Sequence, residues 1–136
     1  MISRRAFAGC AICAVTGFVA SAGESQAQST GGVKRTIVQK TELPDSKYVS
    51  ILVIAEVPAG TSVARHTHPG VESAYILDGE GELMVQGQPT RKVAAMDGFQ
   101  IPPETPHSAR TGERPMKLII TYVVDKDKPL ATPVPE

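Results

Sequence analysis

Between Gly60 and Gly79 the chain reads GTSVARHTHPGVESAYILDG, which sets His66, His68 and Glu72 within seven consecutive residues. On an extended strand successive side chains alternate faces, so His66 and His68 project to the same side. Pro69-Gly70 is turn chemistry that can bring Glu72 back on the following strand. A chain built this way folds with adjacent strands and with three ligands of one metal site converging between them.

A fourth candidate ligand, His107, lies downstream in the run DGFQIPPETPHSAR, from Asp97 to Arg110. The chain has 3 histidines in all, so none is left over as an ordinary surface or core histidine. Neutral imidazole and carboxylate suit Zn, Fe, Mn, Co, Ni or Cu. Three imidazoles and one carboxylate leave one or two coordination positions open for chemistry.

These residues carry a resemblance to the cupin superfamily. Gly60, His66, His68, Glu72 and Gly79 match its first motif, G-x5-H-x-H-x3-E-x6-G, position by position. In the second motif, G-x5-P-x-G-x2-H-x3-N, Pro102 and His107 match, whereas Met96, Glu104 and Thr111 stand where the family has Gly, Gly and Asn. Asp97 after the missing glycine is also cupin-like. The resemblance covers about Val33 to Val124. It implies an all-β fold, a small double-stranded β-helix (jelly-roll) barrel, with one divalent transition metal bound inside by His66, His68, Glu72 and His107.

The N-terminus, MISRRAFAGCAICAVTGFVASAGESQAQS, carries a basic pair, a short apolar run from Ala6 to Ala20 and a small-residue segment, the composition of an export signal. Ser3-Arg4-Arg5-Ala6-Phe7 resembles the twin-arginine type of bacterial signal. The apolar run is too short to span a bilayer. Cleavage is expected after Ala27, with Ala20-Ser21-Ala22 as a second site. The expected organisation is therefore signal 1–27, linker 28–32, barrel 33–124 and tail 125–136, in a periplasmic or secreted protein with no membrane contact once mature.

Both cysteines, Cys10 and Cys13, fall in the signal, so the expected mature chain has no disulfide and no thiolate ligand. It keeps about 109 residues, enough for one small domain, with 12 basic against 13 acidic side chains. That balance gives no electrostatic footprint for nucleic acid.

From Val33 onward, short runs rich in β-branched residues alternate with turn compositions. Strands are expected at 33–42, 48–57, 62–68, 73–77, 82–85, 91–94, 98–101, 107–111 and 116–124. No window keeps a helical period for a dozen residues. Asp125 to Glu136, DKDKPLATPVPE, is expected as an extended tail, with packing on the partner subunit of a homodimer as the alternative.

Other side chains have weaker claims on the site. Arg65 and Arg110 have the opposite strand parity to the neighbouring histidines. Tyr75, Phe99, Gln100 and Tyr122 are candidates for the barrel mouth, with plain core packing as the blander reading of the aromatics. Met84 and Met96 are expected in the core. Glu104, in a loop stiffened by Pro102, Pro103 and Pro106, is a candidate acid or base set against a surface carboxylate. The expected function is a metal-dependent enzyme acting on a small molecule, dioxygenase-like, with Fe or Mn favoured over Zn, Ni, Co or Cu. A non-catalytic metal or ligand sensor, and an isomerase or decarboxylase of a small carboxylate, are the alternatives.

Overall fold

The structure is a computed structural model that describes residues 27–30 and 32–135. Apart from Ala27, the expected export signal lies outside the described residues. The elements are β1 (Ala27–Thr30), β2 (Val33–Glu42), β3 (Tyr48–Val57), β4 (Ser62–Thr67), β5 (Gly70–Asp78), β6 (Glu80–Val85), β7 (Arg91–Ala94), β8 (Gly98–Ile101), β9 (His107–Thr111), β10 (Met116–Asp125) and β11 (Thr132–Pro133). No helix forms among the described residues.

Two antiparallel sheets result, in the orders β1-β2-β3-β10-β5-β8 and β11-β4-β9-β6-β7. The all-β jelly roll expected from the sequence is the fold observed. Its core follows from strict alternation on β3 and β10. Val49, Ile51, Val53, Ala55 and Val57 of β3 turn inward, as do Met116, Leu118, Ile120, Tyr122 and Val124 of β10. The β3–β10 register sets Ile120 opposite Val53 and Tyr122 opposite Ile51, so the two apolar faces coincide. Ile76 on β5 is 0% exposed, and truncating such a side chain to alanine costs about 2–5 kcal/mol.

Two glycines permit the strand crossings that flank the histidine motif. A Cβ on Gly70 would lie 2.0 Å from the Val123 carbonyl oxygen. One on Gly79, where φ is +86°, would lie 2.0 Å from that of Pro115. Met96 and Glu104, which replace motif glycines, nevertheless keep left-handed backbones, with φ of 77° and 56°. The turns survive at the expense of local strain, and Met96, expected in the core, is 78% exposed because its turn throws it outward.

Both ends of the described chain depart from expectation. Residues 28–30, expected as linker, are strand: β1 pairs with β2, with Thr30 opposite Val33. The segment expected as an extended tail turns back at Asp125, whose carboxylate pairs with Lys47 at 3.0 Å and accepts the Asp127 amide at 3.1 Å. It then adds β11 to the edge of β4, with Thr132 opposite Thr67 and Pro133 opposite His66. Backbone pairing, which needs no apolar alternation, explains why so polar a segment is ordered. It packs on its own barrel.

Candidate metal centre

The two sheets contribute to one point. On one sheet, the β4–β9 register sets His66 directly opposite His107. That ladder shifts between Val63 and His66, a bulge that re-aims the end of β4 so that both His66 and His68 face the interior. On the other sheet, Glu72 of β5 lies between Tyr122 of β10 and Ile101 of β8. His68 sits just past β4, where the chain crosses from one sheet to the other.

The donor atoms of His66, His68, Glu72 and His107 all lie within 4.8 Å of one another. His68 Nε2 and His107 Nε2 approach Glu72 Oε2 at 3.0 and 3.1 Å, and His66 Nε2 lies 3.1 Å from His68 Nε2. The opposite edge of each ring is committed to the backbone. Nδ1 of His66 meets the Ala64 carbonyl at 2.7 Å, that of His68 meets the Leu130 carbonyl at 2.6 Å, and that of His107 meets the Thr105 carbonyl at 2.9 Å. A carbonyl only accepts, so each Nδ1 carries the proton and donates it. In the neutral rings all three Nε2 lone pairs then face each other and a carboxylate, and no proton is available between His66 and His68. Three lone pairs and a negative charge in contact could serve as the donor set of a cation site, with outer hydrogen bonds fixing each tautomer.

The electrostatics agree. Burial pushes the His66 imidazole down to about 4, against the pull of the Ala64 carbonyl, so it stays neutral. Burial raises the Glu72 carboxyl, but in the metal-free site hydrogen bonds from His107 and His68, which those rings can give at Nε2 only when protonated, outweigh it and hold the group near 2. Burial likewise opposes charge on His107, yet the Glu72 hydrogen bond and the Thr105 carbonyl raise its pKa on balance. Tyr122, whose ring stands 4.8 Å from that of His68, has its hydroxyl pushed up by burial and then by the Glu72 charge, so it remains a phenol.

A cavity of about 60 Å³ adjoins the cluster inside the barrel, lined by His66, Glu72, His107, Tyr122, Phe99 and Arg35 together with Ser108 and apolar side chains. Sequence reasoning missed Arg35, although its alternation with buried Val33 was a usable signal. It also missed Leu130, which acts through its carbonyl and left no signal in side-chain chemistry.

Other candidates stay outside. Glu104 is at the surface, with a side chain 60% exposed and 4.0 Å from Lys128 Nζ, so the surface-carboxylate reading holds. Arg65 donates through Nη2 to Gln86, although its Nε is buried without a partner. Arg110 pairs with Glu82. Tyr75 points outward, 42% exposed and 3.5 Å from Met96 Sδ, and Gln100 donates to Ser73, so neither reaches the barrel mouth. Thr111, in place of the motif Asn, donates to the Pro58 carbonyl at 2.6 Å and ties β9 to the β3–β4 turn.

Fold and site together define a cupin. The chain belongs to that family: the Cupin domain model matches residues 53–122, just over half of it. It is similar to the dimethylsulfoniopropionate lyase DddQ of Ruegeria pomeroyi, at 31% identity over 83 residues that make up 61% of this chain and 41% of that protein. The crystal structure of DddQ from Ruegeria pomeroyi DSS-3 matches with a TM-score of 0.59 at 29% identity, covering 67% of this chain and 47% of the other. The chain thus spans less than half of the lyase. The polyketide cyclase RemF from Streptomyces resistomycificus has a TM-score of 0.63 at 21% identity, covering 83% of this chain and 82% of its own. A conserved double-stranded β-helix protein from Klebsiella pneumoniae has a TM-score of 0.61 at 21% identity, covering 83% and 93%. At these identities the last two share the fold alone.

Proposed function

We propose that this cupin holds one divalent transition metal through His66, His68, Glu72 and His107 and acts with it as an enzyme on a small molecule, in the manner of a dioxygenase. The observation that carries this reading is the commitment of all three Nδ1 atoms to backbone carbonyls, which leaves three Nε2 lone pairs and Glu72 turned toward one another. A bound ion would supply a Lewis acid or one-electron centre with open positions. The protein's own part is to fix the donors, to keep water out with apolar walls, and to present Tyr122 as a hydrogen-bond donor. Among the cavity-lining residues no carboxylate other than Glu72 is available as a general base, which favours redox chemistry over proton abstraction.

Elimination is the second reading, favoured by the 31% identity to a dimethylsulfoniopropionate lyase. One experiment separates the two. Metal-loaded protein is assayed for dioxygen uptake with a panel of enols, thiols and phenols, and under nitrogen for release of dimethyl sulfide from dimethylsulfoniopropionate. Uptake coupled to product supports the first reading, anaerobic release the second, and neither leaves a binding or sensing cupin.

The twin-arginine-like signal supports a further reading, that the chain is exported already folded to the periplasm with Fe or Mn in place. Replacing the signal by one for an unfolded-chain route should raise Cu or Zn content at the expense of Fe or Mn, because affinities follow the Irving–Williams order. Equal metal content by either route would refute it.

A further inference from the structure

We infer that Arg35 and Tyr122 form the anchor of a subsite for a small carboxylate, inside the barrel and next to the four clustered ligands. The inference rests on reading the cavity as the substrate chamber, and it names the class of ligand that the chamber takes.

Arg35 faces inward by register: it lies opposite Ala55, which is buried on the interior face of β3. Half-buried, it lines the cavity together with Tyr122, Glu72, His66 and His107. No carboxylate among the described residues forms an ion pair with it. The Tyr122 hydroxyl shares the chamber wall with it. A guanidinium has five N–H donors, and one phenol oxygen satisfies only a fraction of them. The one carboxylate on the chamber wall, Glu72, is engaged by His68 and His107 rather than by Arg35, so a ligand carboxylate would give the guanidinium the close partner it lacks.

The shape of the chamber narrows that ligand. A volume of about 60 Å³ holds a body of only a few heavy atoms. Its remaining walls, among them Val57, Leu83, Phe99 and Ile120, are apolar apart from Ser108. One planar fork of donors matches a carboxylate, which can accept two parallel N–H bonds from it. The Tyr122 phenol can add a third. The ligand is therefore a short monocarboxylate with an apolar body. The Glu72 charge opposes its entry, so occupancy is greatest when a cation offsets that charge.

Propionate is the probe, with propionamide as its uncharged counterpart. Both are titrated by calorimetry and by ring-proton NMR of Tyr122 into zinc-loaded and into chelated protein, for the natural chain, Arg35→Met, Arg35→Lys and Tyr122→Phe, and zinc stoichiometry is measured separately. Propionate is expected to bind the natural chain and perturb Tyr122, to bind Arg35→Met at least ~10-fold more weakly, and to recover partly in Arg35→Lys. Propionamide is expected to bind at least ~10-fold more weakly than propionate, a comparison that needs no variant to fold. The inference is overturned if propionate does not bind, if propionamide binds as well, or if Arg35→Met binds propionate as the natural chain does, the ion alone then holding it. A chain that takes up no zinc but still loses propionate in Arg35→Met would refute the metal reading and uphold the subsite.

Discussion

His68 shows how little freedom the clustered residues have. One ring nitrogen is pinned 2.6 Å from the Leu130 carbonyl and the other is held 3.0 Å from Glu72. Alanine at His66, His68, Glu72 or His107 should each cut metal occupancy strongly by elemental analysis, whereas Glu104→Ala should not; full occupancy in any two of the four would refute the site. The pH dependence has a sign that depends on the ion. In chelated protein the raised pKa of His107 contributes stability that is present below the ordinary imidazole value of 6.5 and lost as pH rises through its folded pKa. His66, lowered to about 4, works the other way: between 6.5 and 4 the unfolded chain takes up more protons, so stability falls as pH falls. The melting temperature of chelated protein should therefore peak near pH 6.5. With metal bound the peak should move upward, because every imidazole must be deprotonated to serve as a ligand. Identical profiles with and without metal would contradict this. The convergence of these side chains was legible in the sequence, because strand alternation relates His66 to His68 and a turn returns Glu72. The carbonyl partners were not, since every residue has a carbonyl and only the fold decides which one a ring nitrogen meets.

Among the elements, β11 does most for its size. With only Thr132 and Pro133 in strand, it anchors the segment that carries Leu130, and the Val134 amide donates to the Arg65 carbonyl at 3.0 Å to hold it there. Ending the chain after Lys128 should weaken metal binding by ~10–100-fold, the usual consequence of losing an outer partner of a ligating histidine, while far-UV circular dichroism stays that of the barrel. Unchanged affinity would show that the Leu130 contact is incidental. Gly79→Ala should cost at least about 1–3 kcal/mol in denaturant unfolding, since it forces a side chain into a left-handed backbone against the Pro115 carbonyl. The central elements were readable from residues: β7, β8 and β9 begin and end where turn compositions and β-branched runs place them. β1 and β11 were not, because their pairing is carried by backbone groups in polar stretches with no alternating pattern. Tyr75 and Met96 misled for a related reason, since an apolar side chain on a strand or strained turn does not declare which face it takes.

For the whole molecule, the core has no disulfide among the described residues and depends on the packing of two sheets. An ion that binds only the folded state adds RT ln(1 + [M]/Kd), about 2.7 kcal/mol at a hundredfold excess over Kd. Chelation should lower the melting temperature accordingly, and a temperature indifferent to chelator and metal would sink the metal reading. Because His66 and His107 belong to one sheet and Glu72 to the other, a captured ion must shed donors from both sheets before it can leave. Its residence time is then tied to how often the sandwich opens. Exchange of a labelled zinc isotope would run on the clock of unfolding, and each metal-loaded molecule would carry the ion it first closed upon for most of its life.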